Sequence, residues 1–253
     1  MLFNSRAEQI TEYLKTHKKA TVEELAKALF ASESTVRREL TEMQDAGLIA
    51  RYRGGAILLD GTGEIALSVR AEKDTLDKEV CAETVLRHLS DSAFADAHTV
   101  FIDNSSTCLA LAKKLDFSNK TVITNGLHIA MQLAQKPDIR LIMPGGTVNI
   151  NTGALIGSLA VRTLIDFNID VSFTSCAGVN GNGAYELSIE TAQLKQTALQ
   201  QSKSNILVAA QNKFSCNAPY RVRELEFYDS IFTTASDEIV LPLIDNGIRI
   251  FNK

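Results

Sequence analysis

The sequence predicts an α/β protein with two unequal parts: a small N-terminal group of helices with a β-hairpin, and a larger part built on a mostly parallel sheet. Apolar residues recur at helical spacing in three short segments of the first 45 residues, and a basic hairpin with a Gly-Gly turn follows. In the remainder, seven short β-branched runs alternate with helical segments. We therefore assign residues 1–59 and 75–253 to two domains, joined by a polar linker at 60–74.

Composition narrows the class of protein. Hydrophobic residues make up 45% and charged residues 22% of the 253 positions, which is typical of a globular chain. No apolar run approaches the roughly 18 residues that a membrane span needs, so we expect a cytoplasmic protein with no membrane partner. The four cysteines are widely spaced, with no C-x-x-C pair and no histidine cluster beside them, which predicts reduced thiols and no metal site.

Charge is unevenly divided along the chain. Residues 1–55 carry nine Lys or Arg against eight Asp or Glu, whereas residues 56–253 carry seventeen against twenty-two. The overall charge of −4 does not exclude a nucleic-acid partner, because the clustering of cations on one face matters more than the total.

Three short helices are expected before residue 48. The first runs from Arg6 to His17, where apolar residues recur at helical spacing. The second begins at Thr21, because Glu24 three residues later completes a capping-box signature. The third is expected to begin at a capping hydroxyl of either Ser32 or Ser34.

The third helix has one apolar and one cationic face, and Gly47 is expected to end it. At 100° per residue, Leu40 and Met43 lie within about 40° of Val36, whereas Arg38 lies about 160° away. A cation flanked by hydroxyl residues at the start of a helix can read base edges while the hydroxyls and backbone amides bind phosphates.

The stretch "LIARYRGGAILL" predicts a basic hairpin after these helices. Three short helices followed by such a hairpin are typical of a winged helix-turn-helix. An isolated Arg-Arg pair is more often a solvated helix face, but the helix spacing, the caps and the second basic pair together favour DNA binding. The candidate DNA-binding residues are Thr21, Ser34, Thr35, Arg37, Arg38, Arg51 and Arg53.

The stretch "VEELAKALFASESTVRRELTEMQDAGLIARYRGGA" resembles the N-terminal signature of DeoR-type transcriptional repressors. That signature runs Leu-Ala, Ser, Thr-(Ile/Val)-Arg-Arg-(Asp/Glu)-Leu, Gly, then Arg-x-x-Gly-Gly-Ala. The matching residues are Leu25, Ala26, Ser32, Thr35, Val36, Arg37, Arg38, Glu39, Leu40, Gly47, Arg51, Gly54, Gly55 and Ala56. The resemblance implies a repressor that binds double-stranded operator DNA.

The larger domain is predicted to hold a mostly parallel sheet with helices on both faces. The expected strands are "TVFID", "KTVIT", "IRLIM", "DVSFTS", "NILVAA", "SIFTT" and "IRIF". Ligands of such sheets bind at the carboxyl ends of the strands. Polar or glycine-rich loops follow four of these runs, at 103–107, 124–126, 144–146 and 175–183. Each loop alone is more often an ordinary turn, but together they predict a concave polar rim.

These loops also resemble the sensor half of the same family, which has the fold of ribose-5-phosphate isomerase and glucosamine-6-phosphate deaminase. The family's Asp-x-Gly-(Ser/Thr)-Thr falls on Asp103 to Thr107, its Thr-Asn on Thr124 and Asn125, and its Gly-Gly on Gly145 and Gly146. The resemblance implies a sensor of a phosphorylated sugar or related metabolite. The candidate effector-binding residues are Asp103, Ser105, Ser106, Thr107, Asn125, Gly145, Gly146, Glu190, Lys195 and Lys213.

Two departures from the family pattern affect this half. Ser105 stands where the family often has glycine. In place of Asp-x-Ser-Lys-Phe the chain reads "AQNKF", so Ala210 replaces the Asp and Asn212 replaces the Ser, while Lys213 remains. Loss of the carboxylate removes an acceptor that could hold a sugar hydroxyl, which bears on the identity of the effector.

The alternative is a phosphosugar isomerase or deaminase-like enzyme with an attached DNA-binding domain. Isomerases of this fold carry carboxylates just after the strand that corresponds to "DVSFTS", but residues 175–180 contain no acid and Glu190 is the remaining candidate base. A dinucleotide cofactor would need G-x-G-x-x-G after a strand, and none stands there. We therefore predict a homodimeric or homotetrameric regulator, not an enzyme, that represses a sugar-metabolism operon and has no cofactor.

Overall fold

The computed structural model describes residues 5–45, 48–58, 67–72, 74–89, 94–244 and 248–252. The chain divides into two compact units, Met1–Lys73 and Asp74–Lys253. Within the expected linker at 60–74, the described part includes a short helix, α4 (Leu67–Glu72). Gly47, which was expected to end the third helix, lies outside the described residues. Within those residues, no helix is both long and apolar enough to cross a membrane.

The N-terminal unit contains the three expected helices and the expected hairpin. Before α4, its elements are α1 (Ser5–His17), β1 (Lys19–Thr21), α2 (Val22–Ala28), α3 (Glu33–Asp45), β2 (Ile49–Tyr52) and β3 (Gly55–Leu58). The strand β1 was not predicted. It pairs with β3 and extends the hairpin to an antiparallel sheet in the order β1-β3-β2.

The apolar stripes of the three helices meet in one core. Ile10 and Leu14 of α1, Leu25 of α2, and Val36 and Leu40 of α3 are fully or almost fully buried there. This confirms the helical spacing deduced from the sequence. Removing such side chains from water supplies most of the stability of a unit this small.

Caps fix where two of the helices begin. The Glu24 N–H donates to Thr21 Oγ1 at 3.1 Å and Glu24 Oε2 accepts from the Thr21 N–H at 2.7 Å, which confirms the capping box. The Thr35 N–H donates to Ser32 Oγ at 3.2 Å. Ser32, rather than Ser34, therefore caps α3.

The C-terminal unit is built on a seven-stranded sheet in which every neighbouring pair is parallel. Its strands are β4 (Thr99–Ile102), β5 (Thr121–Thr124), β6 (Arg140–Ile142), β9 (Ile169–Thr174), β12 (Ser202–Ala209), β14 (Ser230–Thr233) and β15 (Ile250–Asn252). All seven expected strands are present, and the predicted fold class is confirmed. The spatial order is β15-β14-β12-β9-β4-β5-β6.

Helices and two small sheets surround this sheet. The helices are α5 (Thr75–His88), α6 (Ser106–Lys114), α7 (Leu127–Leu133), α8 (Ser158–Ile165), α9 (Ile189–Gln200) and α10 (Asp237–Ile244). The remaining strands are β7 (Thr147–Asn149), β8 (Ala154–Ile156), β10 (Gly178–Asn180), β11 (Gly183–Glu186) and β13 (Tyr220–Arg223). Strands β7 and β8 form a hairpin, and β10, β11 and β13 form an antiparallel sheet.

Both faces of the large sheet are covered, as expected from the alternating strands and helices. Val100 and Ile102 of β4 pack in the same apolar cluster as Leu111 of α6. The intervening Phe101 packs with Leu164 of α8 on the opposite face. Successive side chains of a strand point to opposite faces, so a strand covered on both sides reads as a continuous apolar run.

The strand order creates a topological switch point. From β4 the chain proceeds outward through β5 and β6, and then returns to the other side of β4 as β9. The connections that leave the carboxyl ends of β4 and β9 therefore run to opposite sides of the sheet, and the crevice at such a switch point is where parallel α/β sheets bind their ligands.

Candidate functional site

The exposed side of α3 carries a free cation. Arg38 is exposed and has no hydrogen-bond or ion-pair partner within the part of the chain that the structure describes. Arg37 forms an ion pair with Glu33 one turn earlier, between Nη2 and Oε2 at 2.7 Å. Arg38 is therefore available to a base edge, whereas Arg37 must exchange a solvated ion pair for any phosphate contact.

Hydroxyl groups cluster at the N-terminus of α3. Ser32 Oγ lies 2.9 Å from Ser34 Oγ and 2.8 Å from Thr35 Oγ1. The positive end of the helix dipole lies at the same place, because the first amides of a helix lack intrahelical partners. Hydroxyls and a helix N-terminus together are suited to binding a phosphate of the DNA backbone.

The hairpin adds two further cations. Arg51 of β2 donates from Nη1 to Thr41 Oγ1 at 3.0 Å, which ties the hairpin to α3. Arg53 is exposed in the turn between β2 and β3, beside Gly54, whose φ of +88° suits glycine. A side chain at Gly55 would collide with the backbone oxygen of Ala20. The Gly-Gly pair therefore lets the hairpin turn tightly against β1.

The side chain of Thr21 already caps the N-terminus of α2. Its hydroxyl donates to Glu24 Oε2 at 3.0 Å, and the backbone and side-chain hydrogen bonds from Thr21 hold the pKa of Glu24 below its ordinary value. A phosphate contact by this hydroxyl would compete with the capping box. The other six candidate DNA-binding residues lie on α3 or on the hairpin.

In the C-terminal unit, Asp103 lies at the switch point and is fully buried. Its Oδ1 accepts from the Ser105 N–H at 2.9 Å, and its Oδ2 accepts from the Ser175 N–H at 2.8 Å and pairs with Lys195 Nζ at 2.6 Å. Burial would raise the pKa of Asp103, but the charge of Lys195 outweighs it and holds this pKa below its ordinary value. Asp103 is thus an ionised group that joins the loops after β4 and β9.

Lys195 is saturated by partners from three elements. Its Nζ contacts Asp103, Glu186 Oε1 at 2.6 Å and the Ser175 carbonyl oxygen at 2.7 Å. Burial would lower the pKa of Lys195, but the two carboxylates outweigh it and raise this pKa. An ammonium group has three hydrogens, so none is left for a ligand. Lys195 therefore fixes the floor of the crevice.

Glu186 was missed by sequence reasoning, whereas Glu190 was named as a candidate effector-binding residue. Glu190 is exposed on the first turn of α9, where its Oε2 accepts from Ser188 Oγ at 3.2 Å. Glu186 is the residue that reaches Lys195, from β11. The signal that could have found it is the apolar-polar pattern of a short strand nine residues before a buried lysine.

Two hydroxyls at the start of α6 lack partners. Ser105 caps this helix, because its Oγ accepts from the Cys108 N–H at 3.0 Å. Ser106 and Thr107 follow in the first turn and are buried, and neither hydroxyl has a hydrogen-bond partner among the described residues. Two hydroxyls without a protein partner beside a helix N-terminus indicate a place for an anionic group.

Two more hydroxyls without partners lie at the end of β9. Thr174 Oγ1 and Ser175 Oγ are buried and have no hydrogen-bond partner within the described ranges. The next residue, Cys176, has a pKa raised to about 12 by burial, so its thiol is neutral and not a nucleophile. A side chain at Gly178 would collide with the backbone oxygen of Cys216, so the short segment Gln211–Ser215, which includes Lys213, ends beside the loop after β9.

Asn125 holds the second loop against the first. Its Oδ1 accepts from the Asn104 N–H at 3.1 Å, and its Nδ2 donates to Asn104 Oδ1 and to the Leu155 carbonyl oxygen, both at 3.4 Å. A side chain at Gly126 would lie only 2.8 Å from Asn104 Cα, which explains the glycine. Asn125 therefore shapes the crevice through its neighbours.

Gly145 and Gly146 lie after β6 and lead into the β7–β8 hairpin. Both have positive φ, at +76° and +104°, and a side chain at Gly146 would collide with the Ile156 carbonyl oxygen. These glycines let β7 return against β8. No contact joins them to the Asp103 and Lys195 cluster within the residues that the structure covers.

The structure also shows where the residues lie that replace the family's Asp-x-Ser-Lys-Phe motif. Ala210 is fully buried in an apolar cluster, so its side chain supplies no acceptor where the family pattern has a carboxylate. Asn212 turns away to Asp74, with Nδ2 donating to Oδ2 at 2.6 Å. Lys213 has no hydrogen-bond or ion-pair partner among the described residues, so its ammonium group is available to an anion.

A helix-turn-helix with an unpaired arginine, joined to an α/β unit with a polar crevice at its switch point, defines a DNA-binding regulator with a ligand-sensing domain. Residues 6–62 match the family described as the DeoR-like helix-turn-helix domain, and residues 77–235 match the DeoR C terminal sensor domain. The chain belongs to the DeoR family of transcriptional regulators, as the sequence resemblance predicted.

Relatives of this chain are named as regulators. It is 28% identical to the glycerol-3-phosphate regulon repressor of Escherichia coli K12, over 95% of both chains. It is 29% identical to the HTH-type transcriptional repressor GlcR of Bacillus subtilis, over 99% of this chain and 96% of the relative. It is 33% identical to the HTH-type transcriptional regulator GolR of Listeria innocua, over 81% and 79%.

Proposed function

We propose that this protein represses a carbohydrate-metabolism operon and that a phosphorylated sugar controls its binding to the operator. The observation that carries the proposal is the pair of hydroxyls of Ser106 and Thr107, at the N-terminus of α6 and beside the switch point, which have no hydrogen-bond partner among the described residues. The names of two relatives, a glycerol-3-phosphate regulon repressor and the repressor GlcR, support an effector of this class.

On the DNA side, Arg38 reads a base edge in the major groove. Ser34 and Thr35 bind a phosphate at the start of α3, and Arg51 and Arg53 bind phosphates flanking the groove. We assign these roles from the hydrogen bonds of the protein without DNA. Arg38 lacks a partner within the described residues, whereas Arg51 donates a hydrogen bond to Thr41.

On the effector side, the phosphate binds the Ser106 and Thr107 hydroxyls and the amides of the first turn of α6, with Lys213 supplying positive charge. Asp103, Asn125 and Lys195 shape the pocket from behind, since their polar atoms are already engaged by protein groups. Ser105 acts through the same helix as its cap. Gly145, Gly146 and Glu190 belong to the rim, where the sugar moiety leaves the phosphate site.

The coupling is a two-state shift in a homodimer or homotetramer. Paired helix-turn-helix units bind repeated half-sites, and their spacing must match that of the operator. An effector releases the DNA only to the extent that it binds the mismatched arrangement more tightly than the matched one.

Catalysis has no place in this proposal. Aldose-ketose isomerisation needs a base that moves a proton between carbons. Residues 175–180 contain no carboxylate, and Asp103 and Glu186 are both paired with Lys195. Glu190 is a solvated carboxylate on the first turn of a helix.

Ligand-induced thermal shifts test the pocket directly. A panel of sugar phosphates and their unphosphorylated parents is added to the wild type, to Ser106→Ala and to Ser158→Ala. Ser158 is the first residue of α8 as Ser106 is of α6, so it is a matched control. We expect one sugar phosphate, and not its parent, to raise the melting temperature of the wild type and of Ser158→Ala but not of Ser106→Ala. A shift that survives equally in all three proteins would place the ligand elsewhere.

A further inference from the structure

The turn between α2 and α3 contains a phenylalanine in a conformation that suits glycine. Phe30 has a φ of +48°, in the left-handed region. Its N–H donates to the Lys27 carbonyl oxygen at 3.4 Å, and the Ala31 N–H donates to the Ala26 carbonyl oxygen at 3.0 Å. These two bonds form a Schellman motif in which Phe30 is the residue after the C-cap, where glycine is usual. The end of α2 therefore holds Phe30 in a backbone conformation that its side chain disfavours.

Burial does not offset this strain. Phe30 is 99% exposed, and it is the one large apolar side chain that is exposed among the described residues of the N-terminal unit. A glycine or an asparagine would therefore serve the turn better than phenylalanine does. Strained residues are typical of functional sites, where a contact outside the unit can compensate for the strain. The side chain of Phe30 is thus a candidate contact for a partner of this unit.

The position of Phe30 indicates which partner this is. Phe30 precedes Ser32, the residue that caps α3, by two positions. The hydroxyls of Ser32, Ser34 and Thr35 cluster at this end of α3, where a DNA phosphate is proposed to bind. In a bound helix-turn-helix the first helix crosses the DNA backbone and the second lies in the major groove. The turn that joins them therefore lies at the edge of that groove.

The charges around the turn are compatible with DNA. Residues 25–32 contain no Asp or Glu. The carboxylates on either side, Glu23 and Glu33, are each paired with a cation one turn later, Lys27 and Arg37, at 2.7 Å. Their charges are therefore balanced, and a DNA phosphate can approach Phe30 without strong repulsion.

We propose that Phe30 is an apolar DNA contact of this regulator, and that its ring packs at the edge of the major groove beside the polar contacts of α3. Duplex DNA offers two apolar groups there, the thymine methyl group, which phenylalanine is known to contact, and the deoxyribose. The contact increases operator affinity and compensates for the strain at Phe30. The inference deepens the proposed function and rests on one part of it, the docking of α3 in the major groove.

Fluorescence anisotropy of the full-length chain on DNA from upstream of its own gene tests the contact. Phe30→Asn removes the ring and relieves the strain, so weaker binding cannot be due to a less stable unit. Phe30→Leu is the matched control, because it keeps both the strain and an apolar side chain. We expect Phe30→Asn to raise the operator dissociation constant at least about fivefold and Phe30→Leu to change it less than about twofold.

Salt separates an apolar contact from a phosphate contact. The factor lost in Phe30→Asn should be the same at about 50 and about 200 mM salt, because no counterion release is involved. The factor lost in Arg51→Ala, at a proposed phosphate contact, should shrink at the higher salt concentration. Operators with deoxyuridine in place of one thymine lack only the methyl group. A replacement that weakens the wild type but not Phe30→Asn identifies that methyl group as the partner, whereas no such replacement identifies the deoxyribose.

Operator affinity of Phe30→Asn equal to that of the wild type would overturn the inference. An equal loss in Phe30→Leu, or a loss that shrinks with salt as that of Arg51→Ala does, would overturn it as well. Release by sugar phosphates is measured on the same samples. If release persists and Phe30→Asn binds like the wild type, the inference fails and the proposed function stands. If Phe30→Asn binds weakly but no sugar phosphate releases the wild type, the Phe30 contact stands and the proposed control by an effector fails.

Discussion

Replacing Lys195 by methionine should destabilise the C-terminal unit by about 3–5 kcal/mol at neutral pH, the usual cost of removing one partner from a buried ion pair. The structure places the change at the upper end of that range, because it leaves two carboxylates, Asp103 and Glu186, without their common cation. Lys203→Met is the matched control. Lys203 is exposed and pairs with Asp170 at 2.8 Å, so its loss should cost less than about 1 kcal/mol.

The Lys195→Met deficit should shrink as the pH falls. In the wild type, the pKa of Asp103 is lowered by Lys195, so its stabilising contribution is present above the unfolded pKa of about 3.9 and is lost below it. Without Lys195, burial raises the pKa of Asp103 above its unfolded value, so the folded variant takes up a proton at Asp103 before the unfolded chain does. The difference in unfolding free energy between the variant and the wild type should therefore be smaller at pH 5 than at pH 7, by about 1 kcal/mol or more.

Hydrogen-exchange mass spectrometry at increasing urea concentrations measures the unfolding free energy of the C-terminal unit separately from that of the N-terminal unit. The separation is needed because a chain of two units need not unfold in one step. Peptides from β9 and α6 report the relevant region. A deficit below about 1 kcal/mol, or one that does not change between pH 7 and pH 5, would refute the reasoning that Lys195 compensates two ionised carboxylates.

Three further changes probe other parts of the protein. Arg38→Ala should weaken specific operator binding by about 1–3 kcal/mol in anisotropy titrations, and an unchanged preference over scrambled DNA would remove Arg38 from base reading. Thr107→Val should leave operator affinity within about twofold while raising the effector concentration for release at least about tenfold, and normal release would misplace the phosphate site. Phe30→Asn should stabilise the N-terminal unit by about 0.5–1 kcal/mol in exchange experiments, because Phe30 is fully exposed at a φ of +48°, which asparagine adopts more easily; a loss would show that Phe30 makes a stabilising contact.

Local sequence signals predicted where most helices and strands lie, but they did not predict which strands are adjacent in the sheet. The seven strands of the large sheet were recognisable because each is a compact β-branched run between turns. Their spatial order was not, because parallel neighbours are joined through helices and are far apart in sequence. Strand β1 was missed because three residues, Lys19–Thr21, are too few for a period.

In the candidate site as well, local contacts could be predicted from the sequence and long-range contacts could not. The capping box at Thr21 and the cap at Ser105 depend on residues three positions away, so the sequence contains the necessary information. The partners of Lys195 come from three separate segments that meet only in the fold, which is why Glu186 was missed. The family motif pointed to Lys195 as an effector-binding residue, but it carried no information about these partners.

The measurement that tests the central claim most directly is fluorescence anisotropy of the wild type on DNA from upstream of its own gene, with each sugar phosphate compared with its unphosphorylated parent. The account predicts tight, salt-dependent binding that one phosphorylated compound alone reverses. Binding that no compound alters, or that the parent sugar reverses equally well, would contradict a phosphate site at Ser106 and Thr107.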